Sequence, residues 1–239
     1  MTNVNHILAD TSNRQYPLPQ KKWKYYQEWH DTVFLHWKVP KKLLEEYIPE
    51  GLELDIIDNI AWVSLAAFEV KNMRLRNLPS LPYVSNFHEI NIRTYVIKDG
   101  IPGIYLFSIE TDKWIEVLLT RLFIGLPYQK ASIQRTQNRL WSENKSLAQH
   151  LDISFGGSGS LIDKTATDLW LTERHSLYEK NNENIYRFDI HHKEWELKNL
   201  DTKITSIKYY AGKYALNIYP DKIQYSKKIE VVLWGREKA

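Results

Sequence analysis

The chain has 239 residues, a net charge of +3 and no cysteine, with 43% hydrophobic and 26% charged residues. Disulfides, thiolate nucleophiles and cysteine-based zinc sites are therefore excluded, and the charge is too small and too dispersed to argue for nucleic acid. The count of 9 Trp, 15 Tyr and 7 Phe favours sheet, because aromatic side chains fit pleated surfaces. The length suits one large β-rich domain. The segment from Met1 to Pro19 has no apolar run of signal-peptide length. No stretch approaches the ~20 apolar residues of a membrane helix. The absence of cysteine fits a reducing compartment, and the chain reads as cytoplasmic.

Residues 1–20 are polar, carry Pro17 and Pro19, and read as an N-terminal arm ahead of a single domain over 21–239. A strand begins at Trp29. Trp29, Val33, Leu35, Trp37 and Val39 fall on one face, and His30, Thr32, His36 and Lys38 on the other, with Phe34 as the exception. Pro40 opens a helix over Lys41 to Tyr47. Leu52–Ile57 and Ile60–Val70 read as a hairpin turned at Asp58-Asn59, and 74–85 as a loop. A strand follows with Ile90, Ile92 and Val96 on one side and Glu89, Asn91, Arg93 and Tyr95 on the other. Lys98-Asp99-Gly100 turns the chain into a strand over Ile104–Glu110.

Asp112 is a good N-cap for a helix whose Ile115, Leu118, Leu119 and Leu122 form an amphipathic stripe ending at Gly125. Strands are expected from Tyr128 to about Leu140, with Gly156-Gly157-Ser158-Gly159 linking two more. Trp170–Tyr178 and Ile185–His192 read as a hairpin, Lys203–Tyr214 as a helix, and Ile229–Trp234 as the final strand.

The strand from Glu89 to Tyr95 carries the most chemistry. It combines a carboxylate, an amide, a guanidinium and a phenol on one side, all suited to oriented hydrogen bonds. A solvent face and the wall of a polar cavity are equally compatible with it. Glu89 and Arg93 are roughly 13 Å apart along a strand and would not pair directly. His36 lies on a polar strand face and is a candidate acid or base, although a lone histidine is more often structural. His191-His192 would point to opposite faces of a strand, so no metal is expected there. The glycine-serine run lacks the dinucleotide spacing and the nucleophile-elbow spacing.

Several segments together resemble a known family. They are Phe34-Leu35-His36-Trp37-Lys38-Val39-Pro40, Pro49-Glu50-Gly51-Leu52, Phe87-His88-Glu89-Ile90-Asn91-Ile92-Arg93-Thr94-Tyr95-Val96, Gly125-Leu126-Pro127-Tyr128, Leu171-Thr172-Glu173-Arg174 and His191-His192-Lys193-Glu194-Trp195. In that order they resemble the YqjF-like family of uncharacterised bacterial proteins, which looks like a branch of the acetoacetate decarboxylase-like superfamily. The resemblance implies a β-rich α+β fold: antiparallel sheets, one closed into a cone-like β-barrel, with a few short helices and a pocket inside. It tilts the reading of the Glu89 strand toward a cavity wall.

The superfamily's decarboxylases form a Schiff base through the first lysine of a Gly-x-Pro-Lys-Lys pattern, activated by the second. Here the pattern reads Gly125-Leu126-Pro127-Tyr128-Gln129. A phenol cannot form an imine, so the resemblance does not extend to that step. Lys130 shares a strand face with Tyr128 but would need a shift of roughly 7 Å, which makes it a rim residue. Glu89 matches a carboxylate that flanks the decarboxylase lysine.

The expected site is a small-molecule pocket without cofactor or metal. Glu89 and Tyr128 are the candidate acid/base pair. Arg93 would take an anionic group, and Asn91, Tyr95, His36, Arg174 and His191 are further binding candidates. A lyase, isomerase or hydratase step on an oxo or hydroxy acid fits these groups. Two other readings stand beside it: a non-catalytic binding protein on the same scaffold, and a structural protein that forms a homo-oligomer through exposed aromatics. No nucleic-acid or membrane partner is expected.

Overall fold

A computed structural model describes residues 4–81, 85–113 and 126–239. Strand β1 (Tyr25–Val39) pairs with β3 (Ala61–Leu75), which pairs with β4 (Phe87–Lys98), which pairs with β5 (Ile101–Thr111). β10 (Ser176–Asn181) joins β5 in parallel and β11 (Asn184–His192) antiparallel. β14 (Lys222–Leu233) pairs with β1 on one side and, through Ile190↔Leu233 to His192↔Val231, with β11 on the other. The seven strands therefore close into a ring. Its interior is a cluster drawn from every one of them, including Phe34, Phe68, Phe87, Leu177, Phe188 and Val231.

The rest of the sheet leaves the ring at β14. β12 (Lys198–Ala211), β9 (Gln149–Leu161), β8 (Arg139–Asn144) and β7 (Ser132–Arg135) follow in that order. They pack a second core, with Leu151, Ile153 and Tyr209, against the outer face of β1, β3 and β4 at Val33, Leu35, Leu65 and Ile92. The short strands β2 (Glu53–Leu54), β6 (Tyr128–Lys130), β13 (Tyr214–Leu216) and β15 (Glu237–Lys238) join its edges. Three short helices complete the described residues: α1 (Asn5–Leu8), α2 (Lys41–Glu45) and α3 (Ala166–Thr172).

The alternation on β1 breaks for a physical reason. Asp31 has φ +50°, and the β1–β3 register shifts between His30 and Val33. This β-bulge inserts one residue and inverts the phase of the strand. Trp29 therefore packs with the interior cluster alongside Phe34, while Val33 and Leu35 face the outer core. The apparent exception at Phe34 is the consequence.

Four sequence expectations change. Trp170–Thr172 is helical, because Thr165 and Asp168 form a reciprocal capping box at the start of α3. The segment 203–211 is strand, not helix, and Gly212 at φ +61° turns it into β13: in β12, Leu200, Thr202 and Ile204 alternate with Asp201, Lys203 and Thr205. The glycines at 156–159 lie inside β9, at irregular register with β12, rather than in a linking turn. The turn at Asp58-Asn59 forms with both residues at positive φ, but β2 pairs with β4 instead of β3. The helix expected from Asp112 to Leu122, with Gly125, lies outside the described residues from 114 onward.

The N-terminal arm is packed. Val4 and Ile7 are buried with Trp23, Tyr26 and Trp234. Arg14 donates to Asp189 Oδ1 at 2.6 Å, and neither side chain is more than 6% exposed.

Candidate functional site

On β4, alternation turns Glu89, Asn91, Arg93 and Tyr95 to the ring interior and Ile90 and Ile92 to the outer core. β6 runs parallel to β5 with Tyr128 beside Ile109, and this brings Tyr128 to the same wall. Tyr128 Oη donates to Glu89 Oε2 at 3.4 Å, and Asn91 Nδ2 donates to Oε1 at 3.1 Å. Burial outweighs these two donors and the positive charge of Arg93, pushing the Glu89 carboxyl up to about 7. Burial and the neighbouring Glu89 charge hold the Tyr128 phenol well above its ordinary range. At neutral pH, then, Glu89 can gain or lose a proton, and Tyr128 remains a hydrogen-bond donor.

Arg93 is only 8% exposed, and its Nε has no hydrogen-bond partner. Its guanidinium lies 5.2 Å from the centre of the Phe34 ring. Among the described residues no carboxylate stands within ion-pair distance of it. Two other buried arginines differ: Arg14 has Asp189 and Arg174 has Asp55, each at 2.6 Å. A buried cation without a counter-ion is costly, so Arg93 is the group on this wall best suited to receive an anion. Aromatic rings border it. Phe34 packs edge-on to Trp195 at 5.1 Å, and Trp29 stacks on Trp195 at 6.0 Å.

His36 sits behind this wall in a chain of hydrogen bonds. Gln224 Nε2 donates to Asp168 Oδ1 at 2.6 Å, which turns Gln224 Oε1 toward His36 Nε2 at 3.1 Å. Nε2 therefore donates, and Nδ1 accepts from Ser64 Oγ at 2.6 Å. Ser64 Oγ in turn lies 2.6 Å from Tyr95 Oη, which also reaches Leu171 O at 3.0 Å. The far end is Asp168 with Lys222. Burial, reinforced by Arg93, depresses His36 to about 3. His36 is thus a fixed, neutral support of the site, and Tyr95 is held in place by Ser64 and Leu171.

Arg174 and His191 stand apart from Glu89. Arg174 donates to Asp55 Oδ2 and to Trp170 O at 2.7 Å, and it covers the Tyr95 and Trp170 rings. His191 faces the arm and donates from Nε2 to Ile7 O at 3.0 Å. Its neighbour His192 points the other way, packing against Trp195 at 5.5 Å and feeling the Arg93 charge. Lys130 is exposed.

One group among the described residues could hold a metal ion. The ligand atoms of Glu173, His175 and His192 lie within 4.8 Å of one another, all buried. Reasoning from the adjacent pair 191–192 alone missed it, because its members come from distant segments. Each of these residues already has a partner, although His175 Nδ1 is buried without one. Glu173 accepts from Asn13 Nδ2 at 2.8 Å and from the Trp195 N–H at 3.2 Å, His192 Nδ1 donates to Lys193 O at 2.7 Å, and His175 Nε2 donates to Asn13 O at 3.3 Å. The cluster serves as the socket for Asn13 of the arm.

Two features had a signal in the sequence that was not used. The aromatic wall follows once the phase break at Asp31 is recognised. A cleft of about 800 Å³ lies on the other side of β3–β4, lined by His88 and Glu69 where Glu89 and Phe68 face the interior.

The chain matches the family described as an uncharacterized conserved protein (DUF2071) over residues 26–230. It is 34% identical over 231 residues to the uncharacterized protein YqjF of Bacillus subtilis (strain 168), covering 92% of this chain and 95% of that protein. Its fold is similar to that of an acetoacetate decarboxylase-like enzyme from Sphingomonas wittichii RW1 (TM-score 0.59, 11% identity, 95% of this chain and 97% of that one). It is likewise similar to the acetoacetate decarboxylase of Legionella pneumophila (TM-score 0.60, 12% identity, 100% and 96%). The enduracididine biosynthesis enzyme MppR, complexed with pyruvate, matches with TM-score 0.57 at 13% identity over 94% and 93%. No helix of the described residues is long and apolar enough to cross a membrane. The closed ring of strands and these matches agree: the chain belongs to the DUF2071, YqjF-like family, with an acetoacetate decarboxylase-like fold.

Proposed function

We propose that the ring interior binds a small organic anion, with its carboxylate on Arg93, and that Glu89 moves a proton at the carbon next to a carbonyl. The observation that carries this is the buried Arg93 guanidinium, with Nε unbonded and no carboxylate at ion-pair distance among the described residues, on the same strand face as a carboxyl held near 7. A base is most useful when its pKa lies near the working pH. Tyr128 would donate to the oxygen on which negative charge develops. Such a step is common to lyases, isomerases and hydratases acting on oxo or hydroxy acids. That MppR is complexed with pyruvate, a 2-oxo acid, supports the ligand class.

Schiff-base chemistry is left out of this reading. No lysine is among the buried residues described, the sequence from 114 to 125 carries none, and Tyr128 takes the lysine's place in the Gly-x-Pro pattern. We further propose that the protein is a single domain of the cytoplasm whose partner is a small molecule, not nucleic acid.

The test is exchange of the methyl protons of pyruvate in D2O, followed by proton NMR, beside calorimetric binding. The expected result is saturable binding that Arg93→Met weakens at least tenfold, and exchange that Glu89→Gln abolishes while binding survives. Binding without exchange would leave a binding protein on the same scaffold. Binding indifferent to Arg93 would overturn both.

A further inference from the structure

A large cleft is separate from the ring interior. It has a volume of about 800 Å³ and lies between the bulge of β1, β7, β9, β12 and β14. That volume falls in the usual range for small-molecule pockets. Because neighbouring residues of a strand point to opposite faces, His88 lines this cleft while Glu89 lines the interior, and the two spaces stand back to back across β4.

Arg135 and Lys198 line the cleft. Arg135 Nη1 is buried with no hydrogen-bond partner, and its guanidinium sits 5.7 Å from the centre of the Phe155 ring. Among the described residues no carboxylate stands within ion-pair distance of either cation. The other charges of the cleft are committed. Asp31 Oδ1 accepts from Lys227 Nζ at 2.8 Å and from Tyr225 Oη at 2.5 Å. Glu69 is paired to Lys71 at 3.1 Å. Arg135 feels the charges of Asp31 and Glu69, but each of these carboxylates is paired to a lysine, and the cleft keeps an excess of positive charge.

The backbone is also unusual here. Asp31 holds φ +50° at the β1 bulge, a left-handed conformation that Asp tolerates better than most residues. The bulge aims its carboxylate at Tyr225 and Lys227, fixing one wall. On another wall, a Cβ at Gly157 would meet nothing within 4 Å, so the space beside it is open.

We propose that this cleft is a second ligand site, for a small organic anion whose phosphate or carboxylate head seats on Arg135 and Lys198. Its organic body would lie on Phe155 and Tyr225. Guanidinium groups recognise both heads through forked hydrogen bonds, and the aromatic rings favour a planar body. The site is independent of the reading given for Arg93.

Phenyl phosphate and benzoate share a ring and differ only in the head, so calorimetric titration with each tests the site and its preference. At least one should bind with Kd below about 1 mM. Arg135→Met should weaken it at least tenfold and Lys198→Gln several-fold, while Arg93→Met leaves it unchanged. Lys198 is half-exposed, so its variant reports even if loss of Arg135 perturbs folding. Failure of both compounds to bind, or binding abolished by Arg93→Met and untouched by Arg135→Met and Lys198→Gln, would overturn the proposal.

Discussion

Tyr128 Oη and Glu89 Oε2 stand 3.4 Å apart where β6 comes to the β4 wall, and this contact brings a titrating group and a fixed donor together in the ring interior. The donor stabilises the charged carboxylate, so Tyr128→Phe should raise the Glu89 pKa further above about 7. The raised value also has a stability consequence. Between the unfolded value of 4.5 and about 7, the folded state holds a proton that the unfolded chain has released. Stability attributable to Glu89 is therefore full below pH 4.5 and falls as pH rises through 7. Glu89→Gln should remove that dependence. Carbon-13 NMR titration of Glu89 checks the first claim, and a value near 4.5 would refute it.

The buried histidines act in the opposite direction. His36 is depressed to about 3, His175 to about 2, and His191 and His192 to about 4, each chiefly by burial. These rings are neutral when folded and take up protons once unfolded below 6.5. Their contribution is therefore full above pH 6.5 and is lost as pH falls toward 4. Four protons correspond to a limiting slope of roughly 5 kcal/mol per pH unit. Glu89, Glu110 and Glu173, whose carboxyls are raised by burial, offset part of it. Urea midpoints should peak near neutrality and drop steeply below about pH 6. A flat profile from pH 7 to 5 would show that these rings are not buried neutral.

Both effects were only partly visible in the chain itself. The Glu89–Tyr95 alternation is a local property of one strand, and it survives because β4 is regular on that face. The ring that makes it an interior depends on β11 meeting β14, a pairing about forty residues apart in sequence. No local pattern encodes it, and only family resemblance suggested closure. The errors are local as well. Thr165-Ala166-Thr167-Asp168 carries the spacing of a helix start, while Trp170 and Thr172 after it read as strand from their side chains alone. At Asp31 a period-two reading was carried across a bulge, and Phe34 paid with an apparent exception. His192 and Glu173 could not be joined from spacing, since 19 residues and a hairpin turn separate them.

The Asp31 bulge makes a prediction about strain. Asp31→Ala keeps a Cβ at φ +50° and loses the hydrogen bonds from Tyr225 and Lys227. It should destabilise by about 1–3 kcal/mol. Asp31→Gly loses the same bonds but tolerates the backbone, so it should cost about 1 kcal/mol less than the alanine variant. Equal losses from chemical denaturation would show that the bulge stores no strain.

The arm is held by a buried ion pair, and its removal gives the last prediction. Arg14 donates to Asp189, Ile190 O and Tyr16 O, so a truncated side chain leaves three acceptors short of a donor. Breaking a buried pair from one side typically costs about 3–5 kcal/mol. Arg187 Nε still donates to Asp189 Oδ2 at 3.1 Å, so Asp189 is not left alone, and Arg14→Met should fall at the lower end of that range. Changing both partners to Arg14→Met with Asp189→Asn should recover part of the loss, because no charge is then stranded. Asn13, next to Arg14, donates to Glu173 and accepts from His175. Release of the arm should therefore expose the histidine socket before the ring opens, seen as hydrogen exchange at 4–14 and 173–175 that is faster than exchange on β3 and β4. If exchange rises equally across the ring strands, the arm is part of the cooperative core and not a separately opening element.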